Sequence, residues 1–320
     1  MLPERGGAST TRARLLTEIA LGMSAERGAT RPYRDVQISL GVVNDGAFNR
    51  ALSFAAGPPD VAFAVARRDL DLAALNPSPF LTMAYRGTGP FPQPLPLRAL
   101  AIMPSWDRMA FAVAERTGIT SFDQIRERKP PLRISLRENP AHATRFVIDQ
   151  VLSAAGISLR DIEAWGGRLE YTNTPSEASR MDGVRSGTLD AVFDEGIKGW
   201  GNVALEHGMR FLALDPATQH HLETLGWPLG PTPRAMFPRI ADELLAPTFS
   251  GWPLLVHADL PDDVAYAMCR ALDAARGSIQ WDIDGPVEMR DLAGGTDAAP
   301  RDVPLHPGAE RYYREIGALS

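Results

Sequence analysis

Hydrophobic periodicity divides the chain into short alternating strands and helices. Over residues 11–25 the apolar side chains Leu15, Leu16, Ile19, Ala20 and Met23 recur at helical spacing, and residues 36–43 then read as a strand. Asn44-Asp45-Gly46 caps a helix from Ala47, Pro59-Asp60 opens another that reaches Arg68, and residues 70–75 form a buried strand ending at Asn76-Pro77-Ser78-Pro79. The proline-rich stretch 87–96 is a loop, followed by strands over 97–103 and 109–115. Ser121 and Gln124 have the spacing of a capping box, which starts a helix to about Lys129. From Leu132 the alternation becomes regular: strand 132–137, helix 143–155, strand 168–172, helix 175–186, strand 189–193, helix 197–207 and strand 210–214. Gly156 and Gly187 stand at helix stops, and Thr174-Pro175-Ser176-Glu177 reads as a capping box with proline at the first helical position. Residues 227–247 read as a return crossing, before a strand at 249–257 and a helix at 262–276.

Strand-helix alternation of this kind predicts parallel sheets covered by helices on both faces. A length of 320 residues exceeds what one core usually supports, so two lobes with a cleft between them are expected. The regular series places lobe two at 131–246, inserted between a first part of lobe one at 1–130 and its return at 247–320. Because the first periodic element is a helix, the first strand of lobe one is expected to be missing or replaced.

Composition narrows the function classes. A net charge of -6 with scattered Lys and Arg leaves no basic stripe for nucleic acid. The longest apolar stretch, 15–23, is broken by Thr17, Glu18 and Gly22 and falls short of the ~20 residues of a membrane span, so direct membrane insertion is not expected. Cys269 lies on the apolar face of a helix and reads as a small buried residue rather than a reactive thiol. His220-His221 is no metal signature, since neighbours on a helix diverge by about 100°. The nucleophile elbow, phosphate loop, HExxH, paired-cysteine and GxGxxG patterns are all missing, so no cofactor is expected and binding is favoured over catalysis.

Ligands of open parallel sheets gather where strands end and helices begin, because free backbone N–H groups face an anion there. The strand 133–137 leads into a helix opening near His142, which would let His142, Thr144, Arg137 and Arg145 converge on one carboxylate. The plain alternative is a histidine cap with solvated arginines. Glu195, at the end of the next strand, is a candidate to accept from a ligand hydroxyl or amine, or else to pair with Arg137 near the hinge. In lobe one the corresponding loops offer Asn44, Asn76 and Ser78, for which ordinary helix capping is the competing role. Pro104-Ser-Trp106-Asp107-Arg108 joins two strands at the crossover, where Trp106 is a ligand lid if exposed and hinge packing if buried.

Three segments also carry a family resemblance. The tail Val303-Pro-Leu-His-Pro-Gly-Ala-Glu-Arg-Tyr-Tyr-Arg-Glu-Ile-Gly317, the block Arg133-Ile-Ser-Leu-Arg-Glu-Asn-Pro-Ala-His-Ala-Thr-Arg145 and Asp190-Ala-Val-Phe-Asp-Glu-Gly196 resemble the TAXI-type solute-binding proteins that feed TRAP transporters, over residues 36–317. The resemblance implies a two-lobed periplasmic-binding-protein type II fold, a small organic acid as ligand, and delivery to a TRAP-type membrane permease outside the cytoplasm. By that comparison Gly6-Gly7-Ala8-Ser9 looks like the remnant of a turn that follows an opening strand, and the start lacks the export signal of the family, which keeps a cytoplasmic ligand sensor as an alternative. The family's Gly-Ser-Gly-Thr loop is here Pro140-Ala-His-Ala-Thr144, which adds an imidazole and removes flexibility. Because the same fold hosts decarboxylase-like and thiamine-precursor-forming enzymes, His142 with Glu195 as acid and base is the other competing reading.

Overall fold

Two five-stranded sheets organise the computed structural model, which describes residues 17, 19, 37–40, 52–57, 59–279, 281, 283, 285–296, 299–300 and 302–320. The first sheet starts with β1 (Gln37–Leu40), β2 (Leu52–Gly57), helix α1 (Val61–Ala66), β3 (Leu72–Leu75), α2 (Pro79–Arg86) and β4 (Leu97–Met103). The chain then crosses to the second sheet: β5 (Ala110–Ala114), α3 (Phe122–Arg128), β6 (Arg133–Arg137), α4 (Ala143–Ala154), α5 (Leu159–Ala164), β7 (Arg168–Thr172), α6 (Ala178–Arg185), β8 (Ala191–Asp194), α7 (Ile197–Glu206), β9 (Met209–Phe211) and α8 (Pro216–Leu225). A two-stranded ribbon, β10 (Leu229–Pro231) with β11 (Leu245–Pro247), precedes the return. The chain ends in the first lobe with β12 (Trp252–His257), α9 (Asp262–Ala275), α10 (Met289–Leu292) and α11 (Pro307–Glu315).

The strand orders are β1-β2-β3-β12-β4 and β7-β6-β8-β5-β9. In each sheet the strand that has just crossed from the other lobe runs antiparallel between two others: β12 between β3 and β4, β5 between β8 and β9. The two sheets therefore share one plan, the two-lobed α/β arrangement expected from the sequence. Strand β5 is buried at all five positions of its Ala-Phe-Ala-Val-Ala sequence, as a central strand covered on both faces requires.

Two expectations change. The second lobe begins at the crossing formed by residues 104–109, not at 131, because β5 hydrogen-bonds into the second sheet and Phe111 packs edge-on against Phe122 of α3 at 5.2 Å. Residues 52–57, expected within a helix starting at Ala47, form the strand β2, parallel to β3 and antiparallel to β1. A short apolar run such as Leu-Ser-Phe-Ala-Ala-Gly has no period that separates helix from strand, and the open edge of β3 decides. Residues 1–10, on which the expectation of a missing first strand turns, lie outside the described residues. A single apolar cluster runs from Phe80 and Met83 of α2 to Val147 and Ile148 of α4, so the core crosses from one lobe into the other.

Candidate functional site

The ends of β6 and β8 bring a charged cluster to the junction of the lobes. Arg137, last residue of β6, donates from Nε to Asp194 Oδ1 at 3.0 Å, from Nη1 to the Asn173 carbonyl at 2.5 Å, and from Nη2 to Glu195. Asp194, last residue of β8 and fully buried, also receives Arg180 from α6, whose Nε reaches Ser135 Oγ at 2.9 Å. Burial opposes the charge on Arg137, but Asp194 and Glu195 outweigh it and raise the guanidinium above its ordinary value. Arg137 keeps two of the five N–H donors of a guanidinium after these bonds.

From the first crossing, Asp107 enters the same cluster. Both of its carboxylate oxygens accept the Gly196 N–H at 3.0 Å, and Oδ1 also accepts the Arg108 N–H at 2.7 Å. Burial first, and then the neighbouring Glu195, push Asp107 well above the usual carboxylate range. Glu195 moves the other way: burial opposes ionisation, yet the hydrogen bond with Asp107 and the charges of Arg137 and His142 hold it below its ordinary value.

His142 caps α4, with Nδ1 accepting the Thr144 N–H at 3.3 Å and lying 3.0 Å from Thr144 Oγ1. Thr144 is fully buried, His142 and Glu195 are half-buried, and the preceding residues 138–141 are exposed. Arg137, His142, Thr144 and Glu195 thus lie at one end of the second sheet, with Glu195 paired to Arg137 and His142 capping its helix, the plain alternatives for both residues. Arg145 is turned to the helix surface, where its Nε pairs with Asp149 one turn on, 3.2 Å away.

On the lobe-one side Asn76 is exposed at the end of β3, and Ser78 is 2 % exposed, its N–H donating to the Gly251 carbonyl at 2.9 Å. Ser78 Oγ at the N-cap of α2 and Thr82 Oγ1 one turn on have no hydrogen-bond partner among the described residues. Asn44 lies outside the described residues. The two helices approach through aromatic rings: Phe80 meets Phe146 at 5.7 Å and Trp227 at 5.3 Å, and Trp227 meets Phe249 at 5.1 Å. Trp106 is half-buried, lies against Phe237 at 6.4 Å and carries the Arg108 guanidinium 5.0 Å from its ring centre. It packs the hinge.

Asp107, Arg180 and Asp194 were not singled out by sequence reasoning. Arg180 left a signal in sitting beside Met181 and Val184 on the inward side of its helix, but Asp107 looks like any loop aspartate until the crossing is folded. Among the described residues, no group of three or more His, Cys, Asp or Glu side chains is placed to hold a metal ion. None of the described helices is long and apolar enough to cross a membrane.

Residues 251–317 match the NMT1-like family. The matched segment holds β12, α9 and α11, the return part of lobe one, and lies apart from the charged cluster. No curated protein matches the chain. Among solved structures the chain is similar to the alkanesulfonate-binding protein SsuA from Xanthomonas axonopodis pv. citri, with 16% identity, 81% of this chain and 70% of that chain covered, and a TM-score of 0.34. PhnD1 from Prochlorococcus marinus, in complex with methylphosphonate, is similar at 13% identity, with 82% and 85% covered and a TM-score of 0.34. The glycine/betaine/L-proline-binding protein ProX from Borrelia burgdorferi is similar at 12% identity, with 79% and 78% covered and a TM-score of 0.36.

Proposed function

We propose that the protein reversibly binds a small organic acid at the junction of its lobes and hands it to a membrane transporter, of the TRAP type that the tail and loop resemblances imply. One observation carries the reading: the ends of two neighbouring strands and the opening of a 12-residue helix place Arg137, Glu195, His142 and Thr144 together beneath an exposed loop. An acid group at that helix opening meets the favourable end of the helix dipole, worth ~0.3 to 1 kcal/mol at an exposed terminus. It would also meet the two remaining donors of Arg137. Glu195 would accept from a hydroxyl or amine elsewhere on the solute, and Asn76 and Ser78 would complete the contacts from lobe one. Delivery outside the cytoplasm goes with this reading, and so does recovery of the solute unchanged.

Native mass spectrometry of gently purified protein tests it. A co-purified small acid that leaves on denaturation, and whose re-binding is weakened by Thr144→Val and His142→Ala, is expected. Conversion of the released acid on incubation would instead favour catalysis by His142 and Glu195. A protein that carries no acid, and binds none from a panel of small carboxylates, sulfonates and phosphonates by calorimetry, would overturn the proposal.

A further inference from the structure

Strand β3 points its last residue towards Asn76 and Ser78 at the lobe junction, and a second pocket opens at its other end. There Leu70 and Asp71 lead into β3, the antiparallel strand β12 ends at His257, and the space between them, about 210 Å3, holds roughly seven waters at ~30 Å3 each. The turn after β12 fixes the histidine. Leu260 N–H donates to the His257 carbonyl at 3.0 Å, and Asp259 N–H donates to His257 Nδ1 at 3.0 Å. An imidazole that accepts at Nδ1 carries its proton on Nε2. Nε2 has no hydrogen-bond partner among the described residues and is not enclosed by them, so this side chain, on a residue only 9% exposed, opens on the pocket it lines. Burial, and then the Arg68 guanidinium, hold the ring below its ordinary value, which keeps it a neutral donor near neutral pH.

Charge is arranged around that donor in both signs. At the rim Arg68 Nη2 donates to Asp259 Oδ2 at 2.6 Å, which leaves four of the five N–H donors of the guanidinium. Asp71, 2% exposed, is the buried acid of the lining, with Oδ2 accepting the Ser53 N–H at 2.8 Å. Neither charge alone suits the pocket. A lone anion would draw Arg68 from Asp259 and then stand beside Asp71, whereas a lone cation would meet the guanidinium and the His257 N–H. A molecule that carries both charges has a partner for each. We propose that this pocket is an accessory site for a small zwitterionic amino acid, with its carboxylate on Arg68 and His257 Nε2, its ammonium on Asp259 and Asp71, and a short side chain against Leu70 and Leu260.

The test follows the ring nitrogen signals of nitrogen-15-labelled histidines while L-alanine is added to the full chain, with His257 assigned through His257→Gln. A saturable shift at His257 Nε2 is expected, with a dissociation constant of about 1 mM or tighter. Acetate and methylamine, each half of the zwitterion, should bind at least about tenfold more weakly. Arg68 closes α1 at a left-handed φ of +65°, where glycine is at ease, and its pair with Asp259 is a surface contact of little worth. Arg68→Gly should therefore melt close to the wild-type temperature and yet bind L-alanine at least about tenfold more weakly. Asp259→Asn, at a side chain 71% exposed, should weaken L-alanine likewise. A His257 ring that does not respond to L-alanine overturns the proposal. Acetate binding as tightly as L-alanine, which would make this a plain anion site, also overturns it, as does L-alanine affinity unchanged in either variant. The His257 ring reports this pocket alone, so an acid held at the junction of the lobes does not imitate the result.

Discussion

Arg137 has a side chain only 7% exposed and faces two carboxylates. Removing one partner of a buried charged pair costs ~3–5 kcal/mol, so Arg137→Ala should lower the unfolding free energy by that order in chemical denaturation. Arg137→Lys keeps the charge, loses the fork and should fall between. Arg145→Ala is the contrast. Its pairing with Asp149 is a surface contact one turn apart, worth roughly 0.3–0.5 kcal/mol, so the same measurement should barely change. At Cys269 burial pushes the thiol up to about 12, with Sγ directed at the Leu100 carbonyl. The folded protein should therefore resist maleimide near neutral pH and react only after denaturation, as read out by intact mass; labelling of the native protein would contradict the packing.

At the scale of elements, α11 shows how tightly one helix can be seated. His306 caps it, accepting the Gly308 N–H at 3.2 Å, and a Cβ on Gly308 would stand 2.0 Å from the Asp262 carbonyl oxygen at the start of α9. Backbone cannot yield as a flexible side chain can, so Gly308→Ala should push α11 off α9. Overpacking typically costs ~1–3 kcal/mol and this clash lies at the upper end or beyond. A lowered melting temperature and faster proteolysis after residue 300 are expected, and an unchanged melting temperature would refute the seating. The start of α6 differs from the sequence reading in the same local way. The capping pattern at 174–177 predicts a helix from Pro175, but the helix begins at Ala178. Glu177 accepts the Asn173 N–H at 2.6 Å, the Pro175 carbonyl accepts from Arg180, and the Pro175 ring fills the space beside Gly196. The first two partners lie within five residues and only Gly196 is remote in sequence, and together they hold the loop open.

For the whole molecule, the apolar cluster that passes through Phe80, Phe146, Trp227 and Phe249 joins the lobes, and Thr88 Oγ1 donates to the Leu225 carbonyl across the same junction at 2.5 Å. A shared core couples the unfolding of the two lobes. Calorimetry should therefore show one transition in which the calorimetric and van't Hoff enthalpies agree. Trp227 is fully buried, so Trp227→Ala should cost ~3–5 kcal/mol and split the transition in two. Two resolved transitions in the wild-type protein would show that the junction is not a core.

The sequence by itself determined the alternation of elements and the α/β class, because helix and strand periods and the capping residues are local and need no partner; length pointed to two lobes without fixing where they divide. It also marked Arg137, His142, Thr144 and Glu195, since each falls where a strand of the regular series ends and a helix opens. Only the tertiary structure decided that Leu52–Gly57 is a strand, that β5 belongs to the second sheet, and that Arg145 faces outward. Asp107, Arg180 and Asp194 likewise became visible only on folding. Their roles depend on pairings across tens of residues, such as Asp107 with Gly196, and no periodicity along the chain encodes which distant loop will supply the partner for a buried charge.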